Sequence, residues 1–175
     1  IPENSIFDHL VGSYLSGADQ IELRSRDGIK RKTKQIIRRF LRTTRGFEIS
    51  SETDNEIILI SLLRPSEMPL RASINRMYQQ LNSLIIDIGE VMKGEDYYLI
   101  EDHEEREQEI DSMRLLVERQ VSSLLDSYQV AEALNLSRRE AVEFANLSRS
   151  LERMADHANQ LSELIITTDK VPKMD

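Results

Sequence analysis

The stretch from 137 to 166, SRREAVEFANLSRSLERMADHANQLSELII, limits what this chain can fold into more than any other. Ser137 and Glu140 stand in capping-box spacing, so a helix is predicted to start there. Phe144, Leu147, Leu151, Met154, Ala158, Leu161 and Ile165 then recur at alternating steps of three and four. That is a heptad seam, and a helix carrying one packs lengthwise against other helices.

Two further segments have the same character. From 67 to 93, Leu70, Ile74, Met77, Leu81, Leu84, Ile88 and Val91 form a stripe, and Gly94 stops it. A helix is predicted from 95 to about 128, with Glu95 and Asp96 as favourable first-turn acids. Its core face is Ile110, Met113, Val117, Val121, Leu124 and Tyr128, extended back through His103 and Leu99. A loop over 129–136 leads to the third helix. Helices of this length reach about 40–50 Å, and short connections make neighbours antiparallel. Residues 66–175 are therefore expected to form a long, narrow antiparallel three-helix bundle, entered at the Pro65 break with Ser66 as a cap.

Residues 1–65 read differently, as a small α+β segment of order αβαββ. Ser5 can cap a short helix whose apolar face is Ile6, Leu10, Val11 and Tyr14, with Gly17 as its stop. Residues 18–25 alternate like a strand, and Asp27-Gly28 is a turn. A basic helix spans 29–44 with Ile29, Ile36, Ile37, Phe40 and Leu41 as its stripe. Strands at 47–52 and 56–63 flank the turn Thr53-Asp54-Asn55. The fold class is thus mainly α, a helical bundle preceded by a small mixed unit.

Composition agrees and excludes several classes. Of 175 residues, 39% are apolar and 31% charged, which suits amphipathic helices. No cysteine is present, so disulfides, zinc fingers and thiol catalysis are excluded. The uncharged apolar run at 57–63 is too short to cross a bilayer, and no signal peptide is visible. The chain starts at Ile1 rather than Met, so a fragment or processed form is expected, with something upstream missing.

Net charge is −8 but unevenly spread. Lys30, Arg31, Lys32, Lys34, Arg38, Arg39, Arg42 and Arg45 crowd one segment with no acid among them. Two readings stand side by side: a solvated outer face, or a docking surface for an acidic partner or adjacent subunit, with Lys30, Lys34, Arg38 and Arg42 exposed. Direct nucleic-acid binding is disfavoured, because Phe40 is the lone interleaved aromatic and the chain is acidic overall.

Two carboxylate pairs stand out. Glu107 and Asp111 lie one turn apart on the second helix, as do Glu152 and Asp156 on the third. Folding the helices back from 128 and 137 brings the pairs to one height at the edge of a shared groove. Four such carboxylates would repel. A hard cation relieves this, and oxygen ligands suit Mg, Mn, Ca or iron. The bland alternative is real: with 31 acids, roughly five i, i+4 carboxylate pairs arise by chance. His157 and Asn159 are placed to orient the shell, while His103 reads as a core histidine. The Glu-x-x-His of di-iron bundles is absent. His103 to Glu107 starts like a zinc-protease helix but has Glu where the second His is required. No nucleophile–base set, P-loop or phosphate cradle appears, so no enzymatic activity is expected. Leu115 with Leu116, and Ile165 with Ile166, put apolar groups on two sides of their helices, which points to a homodimer.

The segment SRSLERMADHANQLSELI resembles the signature helix of the PhoU family, regulators of phosphate uptake. Arg149, Glu152, Arg153, Met154, Ala155, Asp156, His157 and Ala158 answer to its pattern, with Asn159 one position early. EREQEIDSMRLLVERQ resembles the family's other carboxylate helix, with Glu107 and Asp111 in the motif positions. The resemblance covers about 66–168, and YLSGADQIEL with GFEISSETDNEIIL is similar to the region before the repeat in archaeal-type members. It implies a cytoplasmic regulator acting with a phosphate ABC transporter or sensor component, peripheral to the membrane through that partner. It also implies a metal ion or multinuclear iron or zinc cluster on the two motifs. Typical members have two three-helix repeats and this chain has one, so a dimer is expected to supply the second. Archaeal-type members often carry an AbrB-like DNA-binding domain upstream. The alternative expectation is therefore the effector and dimerisation part of a transcription regulator whose DNA-binding domain lies before residue 1.

Overall fold

The structure, a computed structural model, describes residue 2, residues 5–64 and residues 69–169. The predicted break at Pro65 and cap at Ser66 lie outside the described residues.

The N-terminal unit has the expected order αβαββ: α1 (Ile6–Leu15), β1 (Gln20–Arg24), α2 (Arg31–Thr43), β2 (Phe47–Glu52) and β3 (Glu56–Ser61). The strands form one antiparallel sheet in the order β1-β3-β2, with a register shift between Ile49 and Ser51 on β2. The helices cover one face. Leu10, Tyr14, Ile37 and Phe40 meet Phe47, Ile57 and Leu59 there, all buried. Tyr14, Phe40 and Phe47 stack edge-on with centroids 5.6–6.2 Å apart, a favoured aromatic geometry. Gly46 makes the α2–β2 corner possible. Its φ is +80°, and a Cβ there would lie 2.3 Å from Leu63 Cγ.

The bundle follows: α3 (Leu70–Met92), a 3-10 turn (Tyr97–Ile100), α4 (His103–Asp126), α5 (Tyr128–Leu134) and α6 (Arg138–Asp169). All seven residues of the α3 stripe are buried. On α4, Ile110, Met113, Val117, Val121 and Leu124 are buried as expected, but Tyr128 is 73% exposed. Tyr128 begins α5 instead of ending α4, because the backbone turns extended at Ser127. Ser127 caps the short helix through Val130 N, and Asn135 closes it in the left-handed region. The predicted loop over 129–136 is thus mostly helix. The 95–128 helix starts late because Asp96 caps the 3-10 turn first.

The capping box at α6 forms as predicted: Ser137 Oγ accepts from Glu140 N, and Glu140 accepts from Ser137 N. Four of the seven expected seam residues of α6 face the core: Leu151 and Ala158 are buried, and Phe144 and Ile165 pack against it. Ala141, Ala145, Ser148, Leu151, Ala155, Ala158 and Ser162 are the buried set, while Leu147, Met154 and Leu161 are exposed. Small side chains let the helix axes approach, and that contact outweighs burial of the larger residues on the neighbouring stripe.

The second apolar side of α4 is not left open. Leu115 belongs to the core of the α+β unit, whereas Leu116 is buried too. Arg119, 2% exposed, anchors the docking. It donates to the Tyr14 carbonyl at 2.7 Å and lies over the rings of Tyr14 and Phe47 at 5.0 and 5.2 Å. Burial lowers the pKa of its guanidinium. Glu109 adds a polar tie, accepting from Arg45 at 3.2 Å and from Arg76 of α3 at 2.8 Å. The hydrogen bond from Arg76 is the main reason its carboxyl sits below the usual range.

Candidate functional site

α4 and α6 run antiparallel, so residues late in α6 meet residues early in α4. His103 and Asn159 fix the register. His103 Nδ1 pairs with Asn159 Oδ1, and His103 Nε2 lies 3.5 Å from Glu163. His103 is 5% exposed, a core histidine with its ring nitrogens engaged. One turn along α4, Glu107 shares a hydrogen bond with Asp156 of α6.

The four singled-out carboxylates are close neighbours. Glu107, Asp111, Glu152 and Asp156 are all half-buried. Burial pushes the Glu107 carboxyl up to about 7, helped by the charges of Asp111 and Asp156, the hydrogen bond to Asp156 and the charge of Glu152. Glu152 is raised as well, by burial first and by Asp156 second, against the pull of Arg114. Two carboxyl groups can share a hydrogen bond only if one carries a proton. The raised Glu107 carboxyl favours carrying it.

Charge at the far end of the cluster is balanced by arginine. Arg114 donates twice to Asp111 Oδ1, at 2.8 and 3.1 Å, and lies 3.3 Å from Glu118. Burial is the largest influence and works against its charge, but the bonds and charge of Asp111 together with the charges of Glu118 and Glu152 outweigh it, and its pKa rises. Arg149 of α6 donates to Glu118 at 2.6 Å and closes the network across the groove. Sequence reasoning missed Arg114 and Glu118. An i, i+3, i+4 alternation of Asp111, Arg114 and Glu118 on one face was the available signal. His157 is exposed, and Asn159 is engaged by His103.

Among the described residues, no three His, Asp or Glu side chains are arranged to hold a metal ion. As placed, Arg114 balances part of the charge that a cation could neutralise. The donor set remains oxygen-only and half-buried, which fits a hard cation; Arg114 competes with it for Asp111.

The basic segment is less bare than its composition suggested. Lys34 is half-buried and donates to Glu52 on β2 at 2.7 Å. Arg45 is held by Glu109 and Ser112, and Arg39 lies 4.4 Å over the Phe7 ring. The acids come from β2 and α4, distant in sequence. Lys30, Arg38 and Arg42 are exposed. A cleft of about 580 Å³ opens beside them, between α1, β1 and the start of α2. It is floored by Ile6, Leu10, Ile21 and Leu23, and the Arg24 on its wall is bound to Glu22 and Glu56. None of the four carboxylates lines it.

No helix among the described residues is long and apolar enough to cross a membrane. The PhoU domain family model matches residues 74–165, more than half of the chain, and the matched segment contains all four carboxylates. No curated protein and no solved structure matches the chain.

Proposed function

The chain belongs to the PhoU domain family, and on that premise we propose that it is a non-enzymatic cytoplasmic regulator of phosphate uptake. In this reading it works as a dimeric helical adaptor for a phosphate transporter or sensor component. The basic face of α2, through Lys30, Arg38 and Arg42, meets the acidic surface of that partner; Lys34 contributes from its place against Glu52.

Glu107, Asp111, Glu152 and Asp156 form the regulatory site and hold a cation: iron or zinc by family resemblance, Mg or Mn by ligand hardness. The crowding of Glu107 by Asp111, Asp156 and Glu152, which with burial raises its carboxyl to about 7, is the observation that carries this reading. Carboxylates that repel one another in this way gain when a cation is placed among them. The bound cation would supply positive charge alone. The protein groups orient and tune: Arg114 holds Asp111, Arg149 holds Glu118, and His103 with Asn159 fixes the register of α4 against α6.

Elemental analysis with melting curves, with and without chelator, tests the site. Metal content and a chelator-sensitive rise in Tm are expected, and both are lost in Glu152→Gln with Asp156→Asn. Metal content unchanged in that double variant refutes it. For the adaptor role, Arg38→Glu with Arg42→Glu should weaken partner capture in a salt-dependent way. Normal capture at low salt would reduce that face to solvated surface.

A further inference from the structure

Arg71 on α3 and Glu140 on α6 form an ion pair at 3.7 Å, and Arg71 also lies over the Phe144 ring. α3 and α6 each run antiparallel to α4 and are therefore parallel to one another. A heptad step along either helix returns close to the same face, drifting by only about 20°. It carries the pair to Tyr78 and Leu147, then Ile85 and Met154, then Met92 and Leu161. These six side chains are 40–70% exposed. The opposite flank of α3 faces α4, through Arg76–Glu109 at 2.8 Å and Asp87–Arg106 at 2.6 Å. The six thus line the two walls of one open groove.

That groove does not have the composition of a solvated face. Residues 77–86 of α3 carry no charge in a chain that is 31% charged. Depletion of charge with enrichment in Tyr and Met marks the centre of a protein interface. The face also has the size of one. α3 spans 23 residues, so two helices side by side offer roughly 35 by 20 Å, or about 700 Å². A standard interface takes about 800 Å² per partner.

We infer that this groove is closed by the same groove of a second copy. The two-fold axis crosses the helices at the Ile85–Met154 layer. Two observations select a copy of this chain. Two copies of net charge −8 meet with least repulsion through an uncharged face such as this one. The three layers are also evenly spaced about the middle one, so reversal brings Tyr78 onto Met92 and Ile85 onto its twin. Antiparallel pairing in addition sets opposed helix dipoles side by side. The assignment rests on the dimer reading above and gives it a surface, one on which α4 and the α+β unit play no part.

Sedimentation at tens of micromolar tests both levels. The natural chain should be a dimer, and Ile85→Glu with Met154→Glu a monomer of unchanged helical content. A monomeric natural chain overturns the dimer and the surface together. A double variant that stays dimeric overturns the surface alone. Cross-linking gives an independent arm, since the chain has no cysteine. Ile85→Cys should cross-link to its own twin on mild oxidation. Tyr78→Cys should do so only when mixed with Met92→Cys, because its twins lie about 20 Å apart, beyond disulfide reach. Efficient self-linking of Tyr78→Cys, or linking of Ile85→Cys only to Met154→Cys, overturns the antiparallel arrangement.

Discussion

Glu107 of α4 and Asp156 of α6 share a hydrogen bond between two acidic side chains, and the Glu107 carboxyl is pushed up to about 7. The folded protein therefore holds a proton that the unfolded chain has already released. Stability contributed by this group is full below about pH 4.5 and is lost as pH rises towards 7. With the site partly open to water, the loss should be about 1–2 kcal/mol, a Tm drop of roughly 3–6 °C. Melting the chelator-treated protein between pH 5 and 8 measures it. Glu107→Gln should flatten the slope; a slope that survives that change belongs to other groups.

Arg114 sets the charge of the same cluster from the other side. Arg114→Met frees Asp111 and removes the cation nearest Glu152. The chelated protein should lose about 1–3 kcal/mol, and the rise in Tm on adding a divalent cation should grow. Titrations of Tm against metal concentration, natural chain beside variant, show whether arginine and metal compete.

The docking of the α+β unit depends on one buried cation. Arg119→Ala would leave the Tyr14 carbonyl without its donor and uncover the Tyr14 and Phe47 rings. A cost of about 1–3 kcal/mol is expected for the unsatisfied carbonyl. Arg119→Lys should recover little, because an ammonium cannot reproduce the planar stacking over two rings. Urea unfolding of both variants gives the comparison.

The phase of α6 is open to a paired test. Ala155 is 1% exposed and Met154 50%. Ala155→Leu should cost about 1–3 kcal/mol by overpacking, whereas Met154→Ala should change monomer stability by less than about 0.5 kcal/mol. The reverse ranking would return the seam to the larger side chains.

That phase is where the sequence was hardest to read. Apolar residues on α6 occupy two adjacent stripes, one of Ala and Ser and one of Leu and Met. Hydrophobicity favours the larger residues, but close approach of the helices favours the smaller. On α3 the core stripe was legible residue by residue, because its apolar positions repeat at three and four without a break. The capping box at Ser137 and Glu140 is local chemistry and was equally legible. α5 was not: seven residues carry too little periodicity to distinguish a short helix from a loop. The carboxylates were found because antiparallel folding fixes heights along two helices. Their neutralisation by Arg114 was not, since side-chain direction decides whether a basic residue on the same helix reaches them.

Leu115 and Val117 lie two residues apart yet serve different neighbours: Leu115 completes the core of the α+β unit, and Val117 is buried in the core of the bundle. α4 is therefore a party wall shared by two rooms. It cannot slide or roll without disturbing the packing on both sides at once. Glu107 stands on one side of that wall, and two residues on, Glu109 grips Arg45 at the exit of α2. The carboxylate groove and the corner that follows the basic helix thus share one helix as their support.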